Sequence, residues 1–411
     1  MMTKTLKWIP PMLLLCAPMG AAGQNIALAI AIVSLLSSEF QQSTLLDSYK
    51  QFRKSALWFP SVSFLLLLIW TSVASVLNPE NPASRLVEYL AGYLPMVFLP
   101  PLIASSFSNL TNQQKEKIYA LFVWVVVIVA IICVSQSIIG WKRSGFDLVI
   151  TEKRARGLYT HPLSLAYVII LILPFALQQI KEQPKRLCSW LLLISTILIV
   201  WTTRSRVIQM ASLAAIGFYI LYYSRGIKRG LLIGFAVISL LTISFTKNSV
   251  SDNFIQTLQG KADRHALDYP DDRLAFWDAH QTLIKKRPLL GHGVHLPNSV
   301  IEQAYQDIGL ENFSKKYSAH NMYLQTTVDG GVVGLVLFLS WFFGLLVVFK
   351  KHWPQPWAVS ITLSIAIFGL AILTQNAIQD NEVRYCLTLM LGFGFAKLKE
   401  AKQLATNSDI H

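Results

Sequence analysis

The chain has 411 residues, of which 53% are hydrophobic and only 14% are charged, and its 36 Lys and Arg outnumber 22 Asp and Glu. A soluble chain of this length would form about two or three domains with roughly 25% charged residues, so the composition excludes a soluble protein and a disordered chain. The four cysteines, at positions 16, 133, 188 and 386, lie in or beside apolar runs and have the spacing of neither a disulfide framework nor a zinc site. The class that remains is a membrane protein with several spans.

Apolar runs follow one another along most of the chain. A helix crosses a bilayer with about 20 apolar residues, and helices keep every backbone group paired there. We therefore predict an all-α polytopic membrane protein with about twelve transmembrane helices. The predicted ranges are 8–22, 24–38, 57–77, 86–106, 118–140, 163–180, 187–203, 207–223, 229–246, 328–349, 357–376 and 383–398.

The first predicted span has two interpretations. Lys4 and Lys7 precede an apolar run that ends in small residues, as in a signal peptide. A second apolar run follows at once, which favours a first helix that is retained.

Cations predict the orientation of the helices, because Lys and Arg concentrate in short cytoplasmic loops. With both termini in the cytoplasm, most short basic loops lie inside. Two outer loops depart from this rule: residues 141–162 carry five Lys or Arg, and residues 247–327 carry nine. Either neighbouring helices override a local charge bias, or these cations bind an anion at the outer face; the second reading makes the loops candidate parts of a site.

The sequence predicts four parts of the chain. They are transmembrane helices one to nine in 1–246, a small helical cap formed by the long outer loop in 247–327, the last three transmembrane helices in 328–398, and a cytoplasmic tail in 399–411. Within the loop, apolar spacing predicts helices over residues 273–284 and 301–310. Between them, Pro288-Leu-Leu-Gly-His-Gly293 predicts a turn, because glycines permit unusual backbone angles.

Two groups of arginines are candidates for binding phosphate. Arg204 and Arg206 separate two apolar runs, and cations so close to hydrocarbon usually mark a site, although arginines can also reach out to lipid headgroups. Arg273 opens the first helix of the cap, and its guanidinium suits paired phosphate oxygens. The alternative for Arg273 is an ion pair with a nearby Asp271, Asp272 or Asp278.

His320 is the candidate general base, because a histidine titrates near neutral pH and can accept a proton from a hydroxyl. It lies where the cap re-enters the membrane, before Gly331-Val-Val-Gly334, a close-packing pattern of membrane helices. The chain has no nucleotide-binding loop and no zinc-protease motif, so a reaction at the outer face needs a substrate that is already activated. His292 and His295 are rivals, but their glycine-containing turn does not predict a metal site.

These motifs together resemble the O-antigen ligase family of bacterial inner membranes, over about residues 200–395. The resemblance rests on Ser205-Arg206, on Arg273-x-x-x-Trp277, on Pro288-x-x-Gly-x-Gly293, and on His320-Asn321 followed after nine residues by Gly-x-x-Gly. The last pattern is the family's ligase signature, whereas O-antigen polymerases and protein O-oligosaccharyltransferases share the others. Val207 departs from the small residue that the family often has after its arginine.

The resemblance implies a glycosyltransferase of the C-type membrane fold, with its active site on the periplasmic side. Its donor would be O-antigen on undecaprenyl pyrophosphate, its acceptor a sugar hydroxyl of lipid A-core, and its only other partners membrane lipids. We expect inversion at the sugar carbon, no cofactor, no metal and no nucleic acid. The predicted catalytic residues are His320, Arg206 and Arg273, and the predicted substrate-binding residues are Arg154, Arg156, Arg204, Trp277, Asn321 and Asp380, the last as a partner of His320 or of acceptor sugars.

Three other functions remain open at this stage. An O-antigen polymerase uses the same donor, and a protein O-oligosaccharyltransferase transfers to a serine. A transporter of lipid-linked glycans predicts charged or broken helices at the middle of the bilayer, whereas the ionisable residues here gather at the outer ends of the helices.

Overall fold

The computed structural model describes residues 9–20, 23–27, 42–78, 83–108, 110–145, 148–223, 272–310 and 318–408. The predicted span 229–246, most of the predicted span 24–38 and the first part of the predicted cap, including Asp271, lie outside the described residues.

The described chain is built almost entirely of helices. They are α1 (Ile9–Cys16), α2 (Gln42–Arg53), α3 (Trp58–Val76), α4 (Ala83–Ser108), α5 (Asn112–Ile139), α6 (Pro162–Glu182), α7 (Leu187–Thr202), α8 (Arg206–Tyr223), α9 (Asp272–Lys286), α10 (Asn298–Gln306), α11 (Met322–Lys350), α12 (Pro356–Ala371) and α13 (Asn381–Ser408). One antiparallel hairpin, β1 (Trp141–Gly145) with β2 (Leu148–Glu152), is the exception, and it pairs Trp141 with Glu152.

Seven of the described helices are long and apolar enough to cross a membrane: α3, α4, α5, α6, α8, α11 and α12. The predicted class, a polytopic helical membrane protein, is thereby confirmed, while the number twelve stays a prediction. The first predicted span is not one continuous helix, because α1 ends at Cys16 and a 3-10 turn, Ala17–Met19, follows it. The last predicted span, 383–398, lies inside α13, which continues to Ser408.

Helices α6 and α12 form the centre of the bundle and pack against each other. In their most apolar stretches 67% and 72% of the residues are buried, against 33% for α5. The outer helices instead expose large apolar side chains, for example Ile139, Val76 and Trp124. A belt of exposed apolar side chains suits a surface that faces lipid.

Helix α11 is broken at Gly331, whose φ of +64° no residue with a side chain adopts readily. The break leaves backbone groups without partners inside the helix, and the turn 288–293 supplies them. The amides of His292 and Gly293 donate to the carbonyls of Val328 and Asp329, and the amide of Val332 donates to Pro288. Two motifs that are far apart in the sequence, the glycine turn and the Gly-x-x-Gly pattern, therefore dock on one another.

The segment 272–310 has a small core of its own. Ala275, Phe276, Ala279 and Leu283 of α9 are buried against Ala304 and Tyr305 of α10 and against Val328 of α11. The two predicted helices are confirmed, with α10 beginning at Asn298 rather than 301. Since α9 packs on α11, its first turn lies beside the start of α11.

Candidate active site

Polar segments from most of the chain meet at one end of the helix bundle, which we call the site end. The ends of α3, α7 and α12 and the starts of α4, α6, α8, α11 and α13 lie there. Hydrogen bonds join the segments: Val294 N to Ser75 Oγ, Ala155 N to Thr202 O, Ser164 Oγ to Asp380 Oδ2, and Thr160 Oγ1 to Glu382 Oε1. Alternating helix directions thus bring the predicted site residues to the same end.

His320 stands two residues before α11 and is partly buried. Its Nδ1 lies 2.5 Å from Oε1 of Gln375, in the loop after α12. Its ring faces Phe276 of α9, with 5.4 Å between the ring centroids. Because the Gln375 carbonyl oxygen can only accept, Nδ1 carries the ring proton and Nε2 holds the lone pair that can receive another.

The surroundings of His320 favour its neutral form. Burial lowers the pKa of His320 below its ordinary 6.5, the hydrogen bond with Gln375 opposes that effect, and the charge of Arg273 adds to it. A neutral imidazole at physiological pH is the form that a general base requires.

Arg273 is the second residue of α9, and its side chain is exposed. Its charge acts on the imidazole of His320, so the two predicted catalytic residues lie within electrostatic reach of each other. The packing of α9 on α11 holds them there, since Phe276, one turn after Arg273, contacts the ring of His320.

Three arginines form a second group at the site end, which we call the arginine cluster. Arg154 donates through Nε to the carbonyl of Thr203 at 3.2 Å, directly before Arg204. Arg206 then begins α8, which packs on α6 and α12. The cluster Arg154, Arg204 and Arg206 therefore combines a cation of the predicted basic loop 141–162 with the two arginines between α7 and α8.

Arg156 is held nearby through its backbone. Its amide and that of Gly157 both donate to Oε1 of Gln136, while Nε2 of Gln136 donates back to the carbonyl of Gly157. Gln136, near the end of α5, thus fixes the loop that carries Arg154 and Arg156.

Asp380 precedes α13 and accepts the hydroxyl of Ser164 at 2.8 Å. The sequence predicts Asp380 as a partner of His320 or of acceptor sugars, but in the structure Gln375 makes the contact with Nδ1 of His320. Burial raises the pKa of Asp380 to about 6, the Ser164 hydrogen bond and the charge of Arg384 lower it, and Glu382 raises it. This carboxyl is therefore poorly solvated and close to its titration point at neutral pH.

Two other predicted residues have evident local contacts. Oδ1 of Asn321 accepts from the amides of Tyr323 and Leu324, which makes Asn321 the N-cap of α11. Trp277 packs beside the small core of α9 and α10, and its indole nitrogen is buried without a hydrogen-bond partner. Their role in binding substrate stays a prediction.

Backbone strain coincides with the candidate residues. Among the described residues other than glycine, only Arg204, His295 and His320 have positive φ, at 52°, 55° and 46°. A left-handed conformation costs such residues about 1–3 kcal/mol and tends to persist at functional sites. Arg204 and His320 are both predicted site residues.

Sequence reasoning missed three polar residues that the structure places here: Gln375, Asp329 and Arg384. Gln375 carried no signal, because a single amide after an apolar run is common. Asp329 and Arg384 did carry one, since each is an ionisable residue inside a predicted span, and such residues are usually functional.

Comparison with known protein families adds an independent finding. A family model described as O-Antigen ligase matches residues 190–339. The matched range contains Arg204, Arg206, Arg273 and His320, whereas Arg154, Gln375, Asp380 and Arg384 lie outside it. A search of curated proteins found no match to the chain.

Proposed function

The chain belongs to the O-antigen ligase family through residues 190–339, and from this premise we propose that it transfers O-antigen from undecaprenyl pyrophosphate to a sugar hydroxyl of lipid A-core. The reaction takes place at the periplasmic face of a bacterial inner membrane, with both termini in the cytoplasm. The observation that carries the proposal is His320, partly buried, fixed at Nδ1 by Gln375 and close to Arg273.

In the proposed reaction the acceptor hydroxyl attacks the sugar carbon that is bonded to pyrophosphate. Its proton passes to Nε2 of His320. A new carbon–oxygen bond forms while the bond to the pyrophosphate oxygen breaks, and undecaprenyl pyrophosphate leaves with the electron pair. A single displacement of this kind inverts the configuration at the sugar carbon.

Arginines stabilise the leaving group, which gains charge as the bond breaks. Arg273 and Arg206 are the proposed catalytic contacts to pyrophosphate, with Arg154, Arg156 and Arg204 as helpers. Asp380, Asn321 and Trp277 are proposed to bind substrate sugars. The proposal needs no metal, and EDTA should therefore leave the transfer rate unchanged.

The test uses purified protein, the lipid-linked donor and lipid A-core. His320→Ala should lower the transfer rate by about 10²–10⁴, the usual contribution of a general base. The matched control is His352→Ala, beyond the opposite end of α11, which should keep normal activity. A His320→Ala protein within a few-fold of wild type would show that the histidine is structural.

The product separates the ligase from the family's other activities. Transfer of O-antigen to lipid A-core supports the ligase. Longer chains that remain on the lipid-linked donor, with no modified lipid A-core, would identify a polymerase instead.

A further inference from the structure

A cavity of about 380 Å³ opens at the site end between α4 and α13. Its volume lies within the usual range of small-molecule sites. The start of each helix contributes polar side chains, Glu88 from α4 and Asn381 and Arg384 from α13, and His295 adds another. Further along α4 the lining is apolar, at Leu99 and Ile103. The cavity is therefore polar at the site end and apolar toward the middle of the bundle.

Arg384 is a buried cation in this lining, and none of the described carboxylates forms an ion pair with it. It is 8% exposed, and its Nη1 donates to the carbonyls of Ile378 and Gln379 at 3.0 and 2.8 Å, while Nη2 donates to Asn381. Its Nε is buried without a hydrogen-bond partner, and no described carboxylate lies within ion-pair distance. The charge of Arg384 also acts on Asp380, but without a direct ion pair. A buried cation with no anion in contact is costly, so the arrangement favours a ligand that brings an anion.

The backbone makes room for this guanidinium. A Cβ at Gly92 of α4 would lie 2.7 Å from Nη2 of Arg384. The guanidinium also lies over the ring of Tyr93, 4.3 Å from its centroid. Arg384 is thus held in place by packing as well as by hydrogen bonds.

Other groups in the lining suit a sugar. Tyr89 and Tyr93 lie side by side, with 4.5 Å between centroids, and an aromatic ring offers an apolar face with a polar edge. The carboxylates of Glu88 and Asp329 accept hydrogen bonds from hydroxyls. A plain anion would face these two carboxylates, and a neutral sugar would leave Arg384 unpaired. A sugar that carries an anionic group can pair with Arg384 through its anion and can donate hydrogen bonds to the two carboxylates through its hydroxyls.

We propose that this cavity binds the acceptor, through a core sugar that carries a phosphate or carboxylate group. The inference rests on the proposed transfer to lipid A-core and names the place of its second substrate. In this arrangement Arg384 contacts the anionic group, and the carboxylates contact hydroxyls.

The position of the cavity favours the acceptor over the donor. Arg206 begins α8, which packs on α6 and α12, whereas the cavity lies between α4 and α13. Two hydrogen bonds connect its wall to the base: Nε2 of Gln325 donates to Asp329 at 2.8 Å, and Oε1 of Gln325 accepts the amide of Ala319, beside His320, at 3.2 Å. An acceptor must approach the sugar carbon opposite the departing pyrophosphate, so we assign it to this cavity, which is separate from Arg206 and whose wall is hydrogen-bonded to the segment that carries His320.

The experiment measures binding without transfer. The probe is core oligosaccharide with its phosphates, released from lipid A-core and titrated by calorimetry into purified protein in the absence of donor. Ala91→Trp should fill the cavity, because Ala91 lines it, and should weaken binding at least tenfold. Arg384→Gln should weaken binding about ten- to a hundredfold, as expected for a lost charge-assisted contact. The control is Val87→Trp, one turn earlier on α4, which is 67% exposed and does not line the cavity.

Each result bears on the proposal. Weaker binding in Ala91→Trp with normal binding in Val87→Trp, together with an unchanged KM for the lipid-linked donor, supports it. Normal binding in Ala91→Trp overturns it, whether or not Arg384→Gln folds. Equal binding of oligosaccharide whose phosphates have been removed overturns the role of the anionic group, and a raised donor KM assigns the cavity to the donor. Oligosaccharide that binds in the cavity but is never glycosylated would sink the ligase function and leave the binding site standing.

Discussion

Gln375 decides which nitrogen of His320 is basic. Its Oε1 lies 2.5 Å from Nδ1, in a loop held by Arg384 through the carbonyls of Ile378 and Gln379. A residue that fixes the tautomer of a base affects catalysis without touching the substrate.

We predict that Gln375→Ala lowers kcat about ten- to a hundredfold with little change in KM, since the ring loses its orientation. Gln375→Glu should act differently, because a carboxylate at Nδ1 stabilises the protonated ring and raises the pKa of His320. Activity on the acid side should then disappear at a higher pH than in wild type. A pH–rate profile of both variants checks this, and an acid limb that does not move would contradict the contact.

Arg273 and Arg206 test whether shape or charge matters at the proposed leaving group. Lysine keeps the charge but loses the two-donor fork, so Arg273→Lys and Arg206→Lys should each lower turnover at saturating donor more than they weaken donor binding. Arg186→Lys is the control, because Arg186 pairs with Glu116 at the opposite end of the bundle. Near-normal turnover in both test variants would shift the assignment to Arg154, Arg156 and Arg204.

Asp380 gives the site end a pH dependence of stability. Burial raises its pKa to about 6, whereas an unfolded aspartate titrates near 3.9. A carboxyl whose pKa is raised on folding weakens the fold once it is ionised, so its stabilising effect is present below about pH 4 and is lost as the pH rises through about 6. The penalty above that pH is on the order of 3 kcal/mol.

Asp380→Asn should therefore raise the melting temperature at pH 7.5 and leave it unchanged near pH 4, because the amide can still accept from Ser164. The same variant should lose transfer activity if the carboxylate binds sugar. Thermal unfolding of the detergent-solubilised protein at the two pH values is the measurement. A lower melting temperature at pH 7.5 would mean that the ionised carboxylate is stabilised by the fold.

At the scale of elements, the break in α11 and the turn 288–293 form one unit. A Cβ at Gly331 would overlap the carbonyl oxygen of Leu289, and a Cβ at Gly291 would lie 2.5 Å from the amide nitrogen of Gly331. Both glycines also have positive φ, a backbone conformation that residues with a side chain rarely adopt. A side chain at either position would therefore be excluded by the backbone conformation as well as by the clash. The unit sets the position of α9, which carries Arg273 and Phe276 toward His320.

Gly331→Ala should consequently displace the turn and reduce activity more than it reduces expression. Gly309→Ala separates the conformational cause from the contact, because Gly309 also has positive φ but a Cβ there would have no described residue within 4 Å. Gly309→Ala should lose only the conformational cost, about 1–2 kcal/mol. Limited proteolysis between α9 and α10, together with the transfer assay, reports on both variants; equal behaviour would show that the docking contact is unimportant.

At the scale of the whole molecule, the sequence predicted the parts that depend on long patterns. Apolar runs located α3 to α8 and α11 to α13, because hydrocarbon requires continuous apolar stretches. Helix α11 begins at Met322, whereas the apolar run predicts a start at 328. The polar residues Thr326, Thr327 and Asp329 lower the hydropathy of the first turns, and the sequence does not show that these residues are buried within the protein.

The candidate site was predictable only where a motif marks it. His320 and Arg273 were found, and the structure brings them together. Gln375 was not found, because its contact joins residues 55 positions apart and leaves no local pattern. The Gly-x-x-Gly pattern predicts close helix packing but not the conformational break at Gly331. That break accompanies the docking of the turn 288–293, which comes from another part of the chain.

We predict that the site end of the molecule faces the periplasm, and the labelling of one exposed residue there tests this orientation. Gln303 lies on α10, in the segment that docks on the break of α11 at that end. Lys185 lies between α6 and α7 at the opposite end. In a cysteine-free background, Gln303→Cys should react with a membrane-impermeant maleimide once the outer membrane is permeabilised, whereas Lys185→Cys should react only after the inner membrane is opened. The basic loops predict this result, because cations such as Lys181, Lys185 and Arg186 concentrate on the cytoplasmic side. The reverse labelling would place His320 in the cytoplasm, where no lipid A-core awaiting O-antigen would meet it.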